Sequence, residues 1–405
     1  MLNKIWAGFI ITGFVAALIR AFTGDTTVFA DIVGSTFTSA KTAFEISLGL
    51  TGVMCLWLGI MRVGEKGGVI KFLARIFSPL LRKLFPSIPK GHPAEGSLIM
   101  NMAANMMGLD NAATPLGLKA MREMQSLNPT PERATDDQIL FLVINTSAVT
   151  LLPVTIFTYR AQMGAADPTD VFLPILIATF CSTMAGLLFT AAIQKRNLMN
   201  KTVVGYLGAM TLLIAGLVFY FTGLDKEAVQ AQSAFIANAL LLTVITSFVV
   251  VALVKKVAVF EEFVEGAKEG FKVAIGIIPY LVAMLVAIGI LRSSGALDFM
   301  LDGIRIVTGN PQWIDSIPTA LMKPLSGSGA RGMMIEAMQT HGPDSFTGRL
   351  SSIIQGSTET TFYVLAVYFG AVKIRFTRHA VLCGLVADFA GIIAAIFVCY
   401  LFFNQ

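Results

Sequence analysis

Seven consecutive residues, Gln355-Gly356-Ser357-Thr358-Glu359-Thr360-Thr361, interrupt an apolar run from about Leu350 to Val372. That run is long enough to cross a bilayer. A carboxylate at such depth costs about 2.5–3.5 kcal/mol on insertion scales and is tolerated where water, an ion or a solute visits it. A Gly beside Ser and Thr lets a membrane helix loosen and free backbone carbonyls. The chemistry on offer is binding and charge coupling, with Ser357, Thr358 and Glu359 as the candidate groups. The plain alternative is a polar kink bonded to a neighbouring helix. A second interruption, Asn145-Thr146-Ser147, lies in the apolar stretch 138–160 and is followed by Pro153. Its uncharged donors and acceptors suit a hydroxyl- or amide-bearing solute, or Na⁺ with help from freed carbonyls. Ordinary interhelical hydrogen bonding, worth about 0.6 kcal/mol on average, is the alternative there.

Two further stretches are too polar and too broken by Gly and Pro to cross a bilayer: Glu95 to Met124, and about Ile317 to Met338. Each reads as two short arms around a tight tip, Gly108-Leu109-Asp110-Asn111 in one and Ser326-Gly327-Ser328-Gly329 in the other. Re-entrant hairpins of this kind exist in membranes where protein or a wet cavity surrounds them. The second arm of each begins at its tip, so its helix N-terminus offers N–H groups and partial positive charge. Asn111 and Thr114 stand at the first tip; Ser326, Ser328 and Arg331 stand at the second. Asp110 or Asn111 can equally be an N-cap. Arg331 can bind an anionic or carbonyl group, or pair with Glu359. Asn101 and Asn105, four apart, share one face of the first arm.

The elements that must position these groups follow from composition. The chain has 405 residues, 55% hydrophobic and 14% charged, with a mean hydropathy of +0.73. Soluble domains carry about 25% charge, so this is a membrane protein. The four cysteines all lie in apolar runs with no CxxC, which excludes a disulfide framework or zinc site and leaves packing. About nine crossings are predicted, near 3–23, 43–62, 138–160, 170–194, 202–222, 233–254, 272–292, 348–371 and 379–403. The first is read as an uncleaved span, although Met1 to Ala30 has the make-up of a signal peptide. Amphipathic pieces are predicted at 68–85, 31–42, 257–269 and 296–308. With the N-terminus inside, most of the 30 basic residues fall on the inner side, which favours N-in, C-out.

The two halves share an order of elements. Ala40-Lys41 with Phe44 returns as Ala267-Lys268 with Phe271, and Gly59-Ile60-Met61-Arg62 returns as Gly289-Ile290-Leu291-Arg292. Each half then runs through an amphipathic piece, a hairpin and a span broken by small polar residues. The unmatched span at 202–222 would invert the second half. The expected fold is an all-α polytopic membrane protein: an inverted-topology repeat with two re-entrant hairpins, as in many secondary transporters. The expected domains are a first repeat at 1–197, a linking span and loop at 198–232, and a second repeat at 233–405.

The run from Asn101 to Asn105, the run Gly108-Leu-Asp-Asn-Ala-Ala-Thr-Pro-Leu-Gly-Leu-Lys-Ala-Met121, and Ile144-Asn-Thr-Ser147 resemble the spore maturation protein A family. Ser326-Gly-Ser-Gly-Ala-Arg331, Gly342-Pro-Asp-Ser345 and Gln355 through Val364 resemble the spore maturation protein B family. The chain resembles a fusion of the two, both from the nucleoside-recognition "gate" superfamily, which includes concentrative nucleoside transporters. The resemblance implies two gate domains and solute binding at hairpin tips and broken helices, lined here by Asn111, Thr114, Asn145, Thr146, Ser147, Ser326, Ser328, Arg331, Ser357, Thr358 and Glu359. The expected function is inner-membrane secondary transport of a small polar solute, nucleoside-like or amino-acid- or peptide-like, by alternating access around the two tips. Na⁺ or H⁺ is the coupling ion to test, with Na⁺ placed near Asn145, Thr146 and Ser147. No other cofactor is expected. Expected partners are membrane lipids and the solute, with self-association open and no nucleic acid. The rival function is a non-transporting scaffold in envelope or spore maturation. No nucleophile–base pair or metal-ligand set supports an enzyme.

Overall fold

The computed structural model describes every residue except Met1, Leu109, Ala148, Val149, Asn310, Asn404 and Gln405; for Leu2, Asp110, Asn111, Ala112, Lys226 and Gln230 it describes the backbone alone. Among the described residues the chain is nearly all helix, with one isolated β-bridge between Arg133 and Phe376. In order, α1 (Leu2–Phe22) and α2 (Val28–Gly67) precede α3 (Val69–Leu84), and α4 (Pro93–Met106) and α5 (Asp110–Gln125) form the first hairpin. Next come α6 (Asp136–Ser147), α7 (Val154–Gln162), α8 (Phe172–Ile193), α9 (Lys201–Thr222), α10 (Lys226–Val254), α11 (Val259–Ser293) and α12 (Ala296–Thr308). The second hairpin is α13 (Ile317–Leu325) with α14 (Gly327–His341), followed by α15 (Phe346–Ser357), α16 (Thr361–Ala371) and α17 (Ala380–Phe403).

Seven of these helices, α1, α2, α8, α9, α10, α11 and α17, are long and apolar enough to cross a membrane. The other two predicted crossings are each a pair of short helices, α6 with α7 and α15 with α16, broken where the polar residues stand. Exposure agrees with a lipid setting. On α9, Leu212 and Phe219 are 76% and 81% exposed, in a helix apolar on most of its circumference. A helix greasy all round needs hydrocarbon or a core around it. This is therefore an all-α, multi-pass membrane protein.

Two predicted amphipathic pieces are not separate elements. Residues 31–42 lie in the first turns of α2, and 259–269 of the predicted 257–269 are the start of α11. A change from polar to apolar side chains does not end a helix, because the backbone ladder continues until a cap or proline stops it. At 40 residues, α2 is roughly 60 Å long. That is about twice the hydrocarbon thickness of a bilayer. The pieces at α3 and α12 are separate helices, each opening on a glycine in the left-handed region, Gly68 at φ 84° and Gly295 at φ 79°.

By contact the chain forms two compact units: residues 1–59, 155–168 and 264–355 make the first, and residues 60–154, 169–263 and 356–405 make the second. Each draws on both halves of the sequence and each holds one hairpin. In the first unit, Met284 and Ile288 of α11 pack with Met322, Ala330 and Met333 of the second hairpin. Arg160 of α7 is fully buried there, donating to the Pro343 carbonyl at 2.7 Å and pairing with Asp344 at 3.1 Å. In the second unit, α17 lies close along α8. A Cβ on Gly186 would meet the Ala387 Cβ at 2.9 Å, and the Ser182 hydroxyl donates to the Ala387 carbonyl at 2.8 Å. Small residues let helix backbones approach this closely in membranes.

Candidate functional site

The polar interruption after Ile144 ends a helix and leaves carbonyls without intrahelical partners. The second unit supplies donors for them. Thr146 O accepts the backbone N–H of Glu359 at 2.7 Å. Ser147 O accepts the hydroxyls of Thr179 at 3.2 Å and Thr183 at 3.4 Å, both on α8. The N–H of Leu151, in the unwound link, donates to Met106 O at the end of the first hairpin arm, at 2.7 Å. Gly108 at the hairpin turn has φ 68°, and a Cβ there would sit 2.6 Å from the Leu152 carbonyl, so the turn and the link need that glycine. Pro153 stands just before α7, where a missing N–H costs no helical bond.

The two breaks therefore meet, backbone to backbone, inside one unit. Around that junction Asn145, Thr146, Ser147, Ser357 and Thr358 are all buried, and Glu359 is half-buried. The buried hydroxyl oxygens of Thr146 and Thr358 have no hydrogen-bond partner among the described atoms. Buried polar atoms are paired in the great majority of cases, and these two are among several such atoms in the described residues, Thr360 beside them included. Near Asn145, Thr146 and Ser147, two carbonyls already accept protein donors, while the Thr146 hydroxyl has no partner among the described atoms.

Asn145 is tied into a network. Its Oδ1 accepts Asn105 Nδ2 at 2.6 Å and the Tyr368 hydroxyl at 3.3 Å, and its Nδ2 donates to Phe141 O at 2.8 Å. Asn101 Nδ2 donates across the hairpin to Ala113 O at 2.8 Å. The pair Asn101 and Asn105 thus joins the hairpin arm to its partner arm and to α6. Thr114 is half-buried on α5, and the side chain of Asn111 lies outside the described residues.

Ser326, Ser328 and Arg331 belong to the first unit. Ser326 caps α14, its Oγ accepting Gly329 N–H at 3.0 Å and lying 3.3 Å from Ser328 Oγ. Arg331 places its guanidinium 5.5 Å from the ring centroid of Tyr159 on α7, within cation–π range. The candidate residues thus divide between the units.

Sequence reasoning passed over several polar groups. Asp388 lies in the middle of α17 and is 1% exposed, with Oδ2 accepting the Thr361 hydroxyl at 2.6 Å. Thr361 is the first residue of α16, so the carboxylate sits by a helix N-terminus, whose partial positive charge favours it. Lys323 is 2% exposed, and its ammonium donates to Gln355 O, near the end of α15, at 2.8 Å. A cation complements the C-terminal end of a helix. The signal for Asp388 was there, as a lone ionisable residue inside an apolar span. Tyr368 gave none, since an aromatic in a membrane helix is ordinary packing.

The pattern of the Gate family, described as nucleoside recognition, matches residues 47–163 and 274–375, more than half of the chain. Spore maturation protein A of Bacillus subtilis (strain 168) is 38% identical over 188 residues, covering 46% of this chain and 93% of that protein. Spore maturation protein B of the same organism is 46% identical over 174 residues, covering 42% of this chain and 97% of that protein. No solved structure matches. The matched segments take in both polar breaks, and on that footing the chain belongs to the Gate nucleoside-recognition family.

Proposed function

We propose that this protein is a secondary transporter of the bacterial inner membrane. It moves a small polar solute, nucleoside-like or amino-acid- or peptide-like, by alternating access, coupled to Na⁺ or H⁺. One observation carries the reading: two interrupted helices join through Glu359 N–H and Thr146 O, with buried Thr hydroxyls left over at the join. Broken helices with unpaired polar groups at depth are the usual solute and ion sites of transporters built from inverted repeats, and we read the two sequence halves as such a repeat. Asn145, Thr146 and Ser147 would take polar solute atoms or the cation, and Glu359 would be the coupling carboxylate. Asn111, Thr114, Ser357 and Thr358 complete the lining proposed in the unit that holds the join, and Ser326, Ser328 and Arg331 are the proposed solute-binding groups of the other unit. The family description favours a nucleoside among the solutes, and neutral amide and hydroxyl groups suit its sugar and base.

The test is uptake into proteoliposomes of labelled nucleosides, amino acids and dipeptides under an imposed Na⁺ or H⁺ gradient. The expected result is gradient-dependent accumulation of one class, abolished in Glu359→Gln. A folded protein that moves none of these solutes under either gradient overturns the proposal and leaves the scaffold reading.

A further inference from the structure

Helix α3 is strongly amphipathic. Lys71, Arg75, Arg82 and Lys83 are exposed, while Ile70, Ala74, Leu80, Leu81 and Leu84 are buried. Its C-terminal end opens onto a cleft of about 480 Å³, walled by α3, the segment after it, the start of α4 and Thr202 of α9. The mouth carries Arg82, Lys83 and Lys90 against one carboxylate, Glu95. Arg82 Nε pairs with Glu95, whose other oxygen accepts Gly91 N–H at 3.0 Å. That arrangement ties the loop to α3 and leaves Lys83 and Lys90 exposed, so the mouth stays positive by two charges.

A second, apolar slot of about 80 Å³ lies against the same helix, lined mainly by Phe77, Leu80, Leu84, Met184, Leu207 and Met210. Leu81 lines both spaces. A basic mouth with an apolar slot beside it, the two separated by Leu81, matches the chemistry of an anionic amphiphile. An amphipathic helix with Lys and Arg on one face rests at the level of lipid headgroups, and basic pockets between membrane helices take anionic headgroups.

We propose that this cleft binds one anionic glycerophospholipid. Lys83 and Lys90 hold its phosphate, Arg82 stays with Glu95, and part of one acyl chain fills the slot. Leu98 and Ile99 of α4, the first arm of the hairpin, also line the cleft, so the lipid would rest against that arm. A membrane lipid is favoured over free phosphate because the slot is lined mostly by apolar side chains, with Asn105 and Thr183 the polar exceptions, and phosphate gains nothing from burying apolar surface.

The test is native mass spectrometry of the full chain in a nonionic detergent, titrated with dioleoyl phosphatidylglycerol or dioleoyl phosphatidylcholine. The expected result is one phosphatidylglycerol bound per chain at least about fivefold more tightly than phosphatidylcholine. Lys83→Ala/Lys90→Ala should erase that preference. Lys71→Ala/Arg75→Ala, which removes the same charge from α3 away from the cleft, should keep it. Leu207→Trp, filling the slot, should weaken the first bound lipid without altering the fold reported by circular dichroism. Equal binding of the two lipids overturns the proposal. So does a preference that survives the Lys83/Lys90 change, or displacement of the lipid by millimolar inorganic phosphate.

Discussion

The backbone N–H of Glu359 donates to the carbonyl of Thr146 at 2.7 Å, linking two positions more than 200 residues apart. Each group is orphaned by the end of its own helix, and each satisfies the other. Irregular backbone at membrane depth persists only with such partners. The bond uses main-chain atoms, so the side chain of Glu359 is left for other work.

That separation can be tested directly. Glu359→Gln keeps the N–H and should leave the melting temperature in detergent unchanged while abolishing coupled uptake. Glu359→Pro removes the donor and should destabilise the fold by about 1–3 kcal/mol, the cost of an unsatisfied buried acceptor. Transport that continues unchanged in the Gln variant would make Glu359 structural.

Asn145 should prove the keystone of its network. Asn145→Ala removes one acceptor shared by the Asn105 amide and the Tyr368 hydroxyl, together with the Asn145 donor to Phe141 O, and should cost about 1–3 kcal/mol. Tyr368→Phe removes the longer of the two bonds to Asn145 Oδ1, at 3.3 Å, and should cost under about 1 kcal/mol. Chemical denaturation in detergent would rank them, and a reversed order would refute the assignment.

The Thr361–Asp388 bond predicts a different pattern. Thr361→Val removes the hydroxyl donor at nearly constant volume and should destabilise by about 1–3 kcal/mol. Thr361→Ser should recover most of that loss. A Ser variant as unstable as the Val variant would show that the methyl group, and not the hydroxyl, matters.

Gly391 seats Thr358. A Cβ at Gly391 would lie 2.8 Å from Thr358 Cγ2 and 3.1 Å from Ser182 Cβ. Gly391→Ala should therefore cost about 1–3 kcal/mol by overpacking. Thr358→Ser removes the clashing methyl, so the double variant should be more stable than Gly391→Ala alone. Simple additivity in that cycle would refute the contact.

His379, in the loop before α17, gives a pH prediction. Burial, helped by the neighbouring Arg378, holds its imidazole below the usual histidine range, against a smaller opposing pull from Asp136. Its Nε2 lies 3.1 Å from Gln194 Nε2, a bond in which the amide donates to a neutral ring. With the folded value depressed, the unfolded chain takes up the proton first, and stability falls as pH drops below about 6.5. The melting temperature should decline between pH 7.5 and 5.5, and His379→Gln should flatten part of that decline. An identical slope in the variant would remove His379 as the cause.

Much of this was legible in the chain. Asn145-Thr146-Ser147 and Gly356-Ser357-Thr358 stand out inside apolar runs, and both helices break there, because polar groups and a lone carboxylate at depth demand partners a straight helix lacks. The tips at Gly108 and Ser326 were legible for the same kind of reason, since a left-handed turn or an N-cap restricts which residue types fit. The merging of 31–42 into α2 was not, because side-chain polarity changes there while nothing interrupts the backbone ladder.

By itself, then, the sequence determined the membrane class, the two polar helix breaks and the two hairpins, since these depend on local composition and on backbone chemistry a few residues long. Only the tertiary structure decided that Glu359 meets Thr146, that Asn105 and Tyr368 converge on Asn145, and that Lys323 reaches Gln355. Those pairings are long-range choices among many polar groups with no local partner. Close packing selects among them, as where Gly186 and Gly391 let helices come near enough for one orphan to answer another.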